Sequence, residues 1–483
     1  MKIGIDLGTT TSTIVRLDPK GRHAQTVMID SLGAWRNGQL HFGEDAYRAL
    51  LDQSSPAFPV RDIKLSLGYK SIKVGGVSVD VEEIVSKLLK FLADKVAPGQ
   101  VIEEAVIGTP VNVSEEHRHA LLRCAEQAGF KNVRLVYEPT SALVGAIEPK
   151  TMLRHSSVLV VDWGGGTLDL SLIRKDGDCL REIAVDGDVS KLGGSQMDTR
   201  ILQKILERTP GVKAQLVSIS DGFNRLKVEI EKEKKNILES VNPETDDVEI
   251  SPFWLGKTLA LQGKDVVEVA TEMAGDAANQ ILEFLGRAGL GVADVTHVLF
   301  AGGVCRSSLV RGKILDVLPD IEIIETSIPQ QLTGYGCARL LSYGFELRLA
   351  RDFGVRQSDN SFCRMLAAGH DIGLGTFRTA DFMVTNPLAS EAIFDFGIVP
   401  ASNEGVGMLA TSSDGFASLK VMSIRCQQRE GELSGGSYDL VRVYSGISHA
   451  LAVAVFAESN VGNASVKDSI SGIPFLIRLN GLE

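Results

Sequence analysis

The fold class predicted here is a duplicated, two-lobed α/β domain over residues 1–345, followed by a small all-β sandwich over 353–483. Three observations predict it. A strand–glycine turn–strand unit occurs twice, β-rich runs alternate with helical stretches as far as about residue 345, and short alternating strands take over after Asp352.

The α/β half is read from runs such as Ile3-Gly4-Ile5, Ala105-Val106-Ile107, Val158-Leu159-Val160-Val161 and Val298-Leu299-Phe300. Each is apolar on both faces and leads into a turn, as suits the centre of a covered sheet. Between them, the stretch Ser114 to Gly129 predicts a helix, with Ser114 as N-cap and Gly129 ending it. In the tail, Ser418 to Cys426, Asp439 to Tyr444, Ala450 to Ala457 and Phe475 to Leu479 read as strands. Turn clusters such as Gly431-Glu432-Leu433-Ser434-Gly435-Gly436 separate them, which predicts antiparallel sheets. No long amphipathic helix follows.

Composition narrows the function classes. The chain has 483 residues, enough for roughly three compact units of about 150. Its hydrophobic fraction of 44% and charged fraction of 23% are those of a soluble globular protein. A net charge of −11 argues against nucleic acid or an anionic membrane as partner, since either wants a clustered basic face. Asp6 falls where a secretory signal would need its apolar core, and no run approaches the ~18 apolar residues of a membrane helix. Six scattered cysteines without a Cys-x-x-Cys pair read as buried reduced thiols. The expected compartment is the cytoplasm.

The repeat carries the chemistry. Ile3-Gly4-Ile5-Asp6-Leu7-Gly8-Thr9-Thr10-Thr11 matches Leu159-Val160-Val161-Asp162-Trp163-Gly164-Gly165-Gly166-Thr167, with Asp6 on Asp162, Gly8 on Gly164 and Thr11 on Thr167. Glycines let backbone N–H groups approach phosphate oxygens, and a turn aims several amides at one anion. The hydroxyls of Thr9, Thr10 and Thr11 add donors. Asp6 and Asp162, at strand ends, suit Mg²⁺ held through its waters. One Asp-x-Gly turn is an ordinary hairpin; two in register describe a duplicated fold gripping a triphosphate from both sides. A third strand runs into Gly302-Gly303, where backbone can lie flat against a nucleobase and ribose, with Arg306 placed to stack on the base.

Taken in order, these words resemble the DnaK-type heat shock protein 70 chaperone family. The resemblance covers residues 1 to about 345 and, more loosely, the rest. It rests on the two glycine turns, on Gly108-Thr109-Pro110 and Tyr137-Glu138-Pro139-Thr140-Ser141-Ala142-Leu143, and on Leu192-Gly193-Gly194 followed by Asp198. Gly302-Gly303 with Arg306 and Gly334-Tyr335-Gly336-Cys337-Ala338 complete it. It implies an actin-like (ribonuclease-H-like, duplicated) ATPase domain, a short linker over 346–352, and a β domain that binds extended polypeptide.

The resemblance also implies roles. Asp6, Thr9, Thr10 and Asp162 form the phosphate and Mg²⁺ cradle, with Gly8, Thr11, Gly164, Gly165, Gly166, Gly193 and Gly194 supplying its turns. Lys64, Glu138, Asp162 and Thr167 are the catalytic set. Glu231, Lys234, Lys235, Gly302, Gly303 and Arg306 line the adenosine side; the highly charged segment Arg225 to Leu238 is otherwise simply a solvated helix face. Expected cofactors are ATP or ADP with Mg²⁺. Expected partners are unfolded polypeptide or one dedicated client, a J-domain co-chaperone and a nucleotide exchange factor. Arg134, Thr140 and Asp352 match residues of the J-domain docking surface.

The chain departs from the family pattern in three places. Ser195-Gln196 replaces an acidic pair, Gln330 stands in place of an aspartate, and Leu238 takes the place of an adenine-facing serine. The linker is reduced to Glu346-Leu347-Arg348-Leu349-Ala350-Arg351-Asp352, and Tyr137 replaces the docking asparagine. The tail matches weakly and lacks a helical lid, so bound peptide is expected to leave quickly. Two other readings compete with a slow ATPase chaperone: a nucleotide-binding regulatory or scaffold protein, and an actin-like sugar or acyl kinase.

Overall fold

The computed structural model describes residues 1–18, 24–148, 156–188, 192–369, 377–384, 390–400, 410–412, 415–425, 439–459 and 464–480. Cys426 and the turn cluster Gly431–Gly436 lie outside these residues. The fold is mixed α/β with several sheets. It divides into two compact units. One comprises 1–173 and 186–344; the other comprises 174–185 and 345–481.

In the first unit the sequence repeat is a structural repeat. Lys2–Asp6 and Thr11–Leu17 form a hairpin continued by Ala24–Asp30, and Glu104–Thr109 and Asn132–Tyr137 add in parallel on the other side. Ser157–Trp163 and the start of Leu168–Asp176 repeat the hairpin, with His297–Ala301 and Glu322–Ile324 added in parallel. Ile3, Ile5, Val106, Ile107, Leu159, Val160 and Val161 are fully buried, as strands covered on both faces require. The Ser114 prediction is met locally: its hydroxyl accepts the His117 N–H at 3.1 Å, the helix runs Glu115–Gln127, and Gly129 follows at φ +91°.

Helix Leu332–Tyr343 packs against helix Glu138–Ala146, and small residues let the two backbones touch. A Cβ on Gly336 would overlap the Ser141 carbonyl, and one on Gly145 the Leu332 carbonyl. Gly336→Ala is therefore expected to destabilise the protein by about 1–3 kcal/mol through overpacking, read as a lower urea midpoint. The exposed Gly312→Ala should move it by no more than about 1 kcal/mol.

The second unit is antiparallel β structure. Asp352–Arg356, Ser361–Leu366, Glu391–Val399, Ala410–Ser412 and Ala417–Arg425 make one sheet. Arg378–Val384, Asp439–Ile447, Val453–Ser459 and Ser465–Ile470 make another. Phe382 of the second sheet meets Phe394 of the first edge-on at 5.3 Å, over a core that includes Phe353, Phe362, Phe396, Val441 and Val443. The segment 346–352 is mostly strand. Phe345–Leu349 pairs with Phe475–Leu479, which pairs in turn with Cys179–Arg181. Around it, Arg181 donates to the Ala350 carbonyl at 2.9 Å and the Phe475 N–H to Glu182 at 2.6 Å.

One expectation is corrected. Of the five described cysteines, none in a disulfide, Cys124, Cys305 and Cys337 are buried, but Cys179 and Cys363 are partly exposed on β-strands. Of the three residues matched to a docking surface, Arg134 is exposed while Thr140 and Asp352 are buried. Asp352 is held inside the second unit by Arg364 at 3.3 Å and the Ala368 N–H at 2.6 Å. Among the described residues no helix is long and apolar enough to cross a membrane.

Candidate functional site

The two glycine turns face each other within the first unit. A Cβ on Gly165 would strike Thr10 and one on Gly166 would strike Thr9, so the turns are in contact. The first turn is pinned by Ser31, whose hydroxyl donates to the Gly8 carbonyl at 2.7 Å and whose N–H donates to Thr10 at 2.8 Å. Thr11 opens the second strand of the hairpin. In the second turn Gly164 N–H closes on Thr167 at 2.9 Å. The Gly193–Gly194 turn is stitched to it by Gly194 N–H on Gly164 O at 3.1 Å and Ser195 N–H on Gly165 O at 2.7 Å.

Behind the turns sits a buried charge cluster. Lys64 lies in the tight turn Ile63–Ser66, 4% exposed, and its ammonium donates to Glu138 at the first position of helix Glu138–Ala146. Burial opposes the charge on Lys64, but Glu138 and Asp6 outweigh it and hold the ammonium above its ordinary pKa. Asp6 is pushed up to about 7 by burial and by Glu138. Asp169 is pushed up to about 7 by the same two causes, although it accepts the Val111 N–H at 2.7 Å. Asp162 is raised by burial and by Glu138, Asp6 and Asp169; it accepts from Thr333 at 3.3 Å. Four carboxylates thus surround one lysine. An all-oxygen set with excess negative charge fits Mg²⁺. Among the described residues no three such groups converge to ligate one ion directly.

From the turns a cavity runs past Thr10 and Gly165 to Leu238, Val304, Arg306 and Gln330. Gly302, at φ +82°, backs onto the Trp163 carbonyl, and a Cβ on Gly303 would meet the Gln330 amide. The charged wall is internally paired. Glu231 accepts from Arg61 and Lys235, each at 2.8 Å. Lys234 donates to Asp198 at 2.6 Å and to Gly194 O at 2.9 Å, and Arg306 donates to Gln330 at 3.1 Å and Glu239 at 2.7 Å.

The model of the family described as Hsp70 protein matches residues 36–339. The chain belongs to the Hsp70 family. Three DnaK chaperone proteins are among its relatives. That of Mycoplasmoides gallisepticum is 26% identical over 364 residues, covering 70% of this chain and 59% of the relative. That of Mesomycoplasma hyopneumoniae is 26% identical, covering 65% and 53%. That of Metamycoplasma hominis is 27% identical, covering 65% and 54%. This Hsp70-family chain thus spans little more than half the length of the curated relatives it matches.

The geometry gathers Asp6, Lys64, Glu138, Asp162 and Thr167 at one end of the cleft and places Glu231, Lys234, Lys235, Gly303 and Arg306 along the other. Sequence reasoning missed Asp169, Arg61 and Asp198 as site residues. Asp169 was legible as the second acid of the word Asp162-Trp163-Gly164-Gly165-Gly166-Thr167-Leu168-Asp169; nothing local marks Arg61.

The raised carboxyls give a pH prediction. Asp6 and Asp169 titrate near 7 when folded and near 4 when unfolded, so between those values the folded protein binds more protons. Their contribution to stability therefore falls as pH rises from about 4 to 7. A cation at the site favours the ionised forms, so calorimetry near pH 6.5 should show net proton release on Mg²⁺-nucleotide binding, with the share from Asp6 and Asp169 gone by about pH 9.

Proposed function

We propose that this protein is a DnaK-type, ATP-dependent chaperone-like protein. A two-lobed, actin-like nucleotide domain (1–345) binds and slowly hydrolyses ATP, and joins through 346–352 to a β-sandwich domain (353–483) that it gates for polypeptide. The observation that carries the reading is the lysine held among four buried carboxylates directly behind two opposed Gly-Thr turns. Backbone amides of Gly8, Gly165 and Gly166, with the Thr9 and Thr10 hydroxyls, bind phosphate oxygens. Lys64 neutralises charge developing on the γ-phosphoryl group. Glu138, Asp162 and Thr167 orient the attacking water. Asp6 and Asp162 would hold Mg²⁺ through its waters, and the ion would supply further neutralisation of phosphate charge. Lys234 and Glu231 take the ribose side and Arg306 the base.

Hydrolysis by positioning needs no strong base, so the useful output is movement of the lobes between nucleotide states. Unfolded or extended polypeptide is the proposed ligand of the β domain, the cytoplasm the proposed compartment, and a J-domain protein and an exchange factor the proposed helpers. The test is peptide affinity: an extended hydrophobic peptide should bind with different Kd in ATP and ADP. No nucleotide dependence for any such peptide would retire the chaperone reading. The alternative, a nucleotide-binding scaffold that hydrolyses little, is favoured by one contact. Ser195, standing where the family carries an acid, donates to Asp62 at 2.5 Å and leaves the cleft one carboxylate poorer.

A further inference from the structure

Beside the nucleotide cleft, and still within the first unit, lies a cavity of about 410 Å³. That is within the range of small-molecule sites. One wall is helix Glu44–Leu51, with Tyr47 and Leu50, together with Pro59; the other is helix Gly222–Leu238 with the turn carrying Phe253 and Trp254. A narrower cavity lined by Asp30, Tyr47 and Val228 continues inward to Thr9, Thr10 and Glu231. The larger one is therefore the mouth of the cleft, walled by both halves of the unit.

The charges on these walls are unequal in what they still need. Arg225 is committed. It donates to the Ala57 carbonyl and, at 3.3 Å, to the Ser220 carbonyl, and its guanidinium faces the rings of Phe58 at 5.4 Å and Trp254 at 6.0 Å. Asp30 accepts the Tyr47 hydroxyl at 3.0 Å. Lys232 points outward, 66% exposed, toward Glu233 at 3.4 Å. Glu229 is half-buried, and only through-space charge from Lys232 and Glu233 accompanies it; it makes no hydrogen bond or ion pair with any described residue. Burial raises its pKa, the mark of a carboxylate short of a partner. Aromatic faces and an unmet carboxylate are the two things an organic cation with an apolar body uses.

We propose that this mouth pocket is a binding site for a small organic cation, an aryl- or alkyl-amine or guanidine. The charged head sits on Glu229 and the body between Tyr47 and Trp254, and its occupation ties the two walls and slows nucleotide exit. The second half of the statement rests on the nucleotide reading above; the first does not.

The test uses the full chain and three probes of like shape: benzamidine, benzyl alcohol and benzoate. Calorimetry or ligand-observed NMR should show saturable benzamidine binding at least about tenfold tighter than either other probe. Glu229→Gln should abolish that preference, and Trp254→Leu should weaken benzamidine and benzyl alcohol alike. Folding of both variants is checked by their melting curves. Release of a fluorescent ADP should slow several-fold with benzamidine in the native chain and not in Glu229→Gln. Preference for benzoate, unchanged binding in Glu229→Gln, or binding only of an arginine-containing peptide would overturn the site. Benzamidine binding with unaltered ADP release would overturn the gating, whereas absence of any ADP binding would overturn the nucleotide reading and leave the probe-binding result standing.

Discussion

Lys64→Ala is expected to lower single-turnover ATP hydrolysis by at least about a hundredfold, the loss typical of removing one preorganised donor to a transition-state charge. The size follows from its surroundings. Among the described residues Lys64 is the cation that faces Asp6, Glu138, Asp162 and Asp169 together, and at 4% exposure no solvent replaces it. Binding should suffer less than turnover, because the amides of both glycine turns and the Thr9 and Thr10 hydroxyls remain. Stability moves too. Deleting one member of a buried pair costs about 3–5 kcal/mol when the other stays charged, but Asp6 and Asp169 already sit near 7 and can take up protons instead. The variant should therefore regain stability as pH falls from about 8 to 6, which separates a folding defect from a catalytic one. Equal hydrolysis by native and variant chains would remove Lys64 from the mechanism and favour the scaffold reading.

What the sequence disclosed about this site was local. A turn that must turn its amides toward an anion requires glycine at fixed offsets from an aspartate, so the repeat at Asp6 and Asp162 showed itself by spacing alone. Ser114 was equally readable, because a helix N-terminus is capped within three residues. Long-range pairing leaves no such trace. Lys64 meets Glu138 across 74 positions and Arg61 meets Asp198 across 137, and each looks like one more charge until the chain is folded. The same holds for the tail. Phe475–Leu479 announces a strand through its apolar run, but its pairing with Cys179–Arg181, nearly 300 residues earlier, is decided by edges that exist only in the fold. Asp169 is different: it lay inside a recognised word, and its role is set by burial beside Glu138, which no spacing expresses.

Asp198→Leu should be the most damaging single change in the cleft wall away from the phosphates. Asp198 is fully buried and accepts from two cations, Arg61 at 2.9 Å and Lys234 at 2.6 Å, whose side chains are 5% and 7% exposed. Without it both cations stay buried: Arg61 retains Glu231 at 2.8 Å, and Lys234 retains only the Gly194 carbonyl. The expected cost is about 3–5 kcal/mol, read from the urea midpoint of the nucleotide unit. Arg61→Met should cost less, about 1–3 kcal/mol, because Asp198 keeps Lys234 and Glu231 keeps Lys235. Salt discriminates this network from a surface one. Arg48–Glu44, both mostly exposed, is screened at 1 M where the Debye length is about 3 Å; the Asp198 penalty should persist there. The double variant Arg61→Met, Asp198→Leu should be less than additive, since each substitution removes the partner the other strands. Additive losses would show that Arg61 and Asp198 act separately.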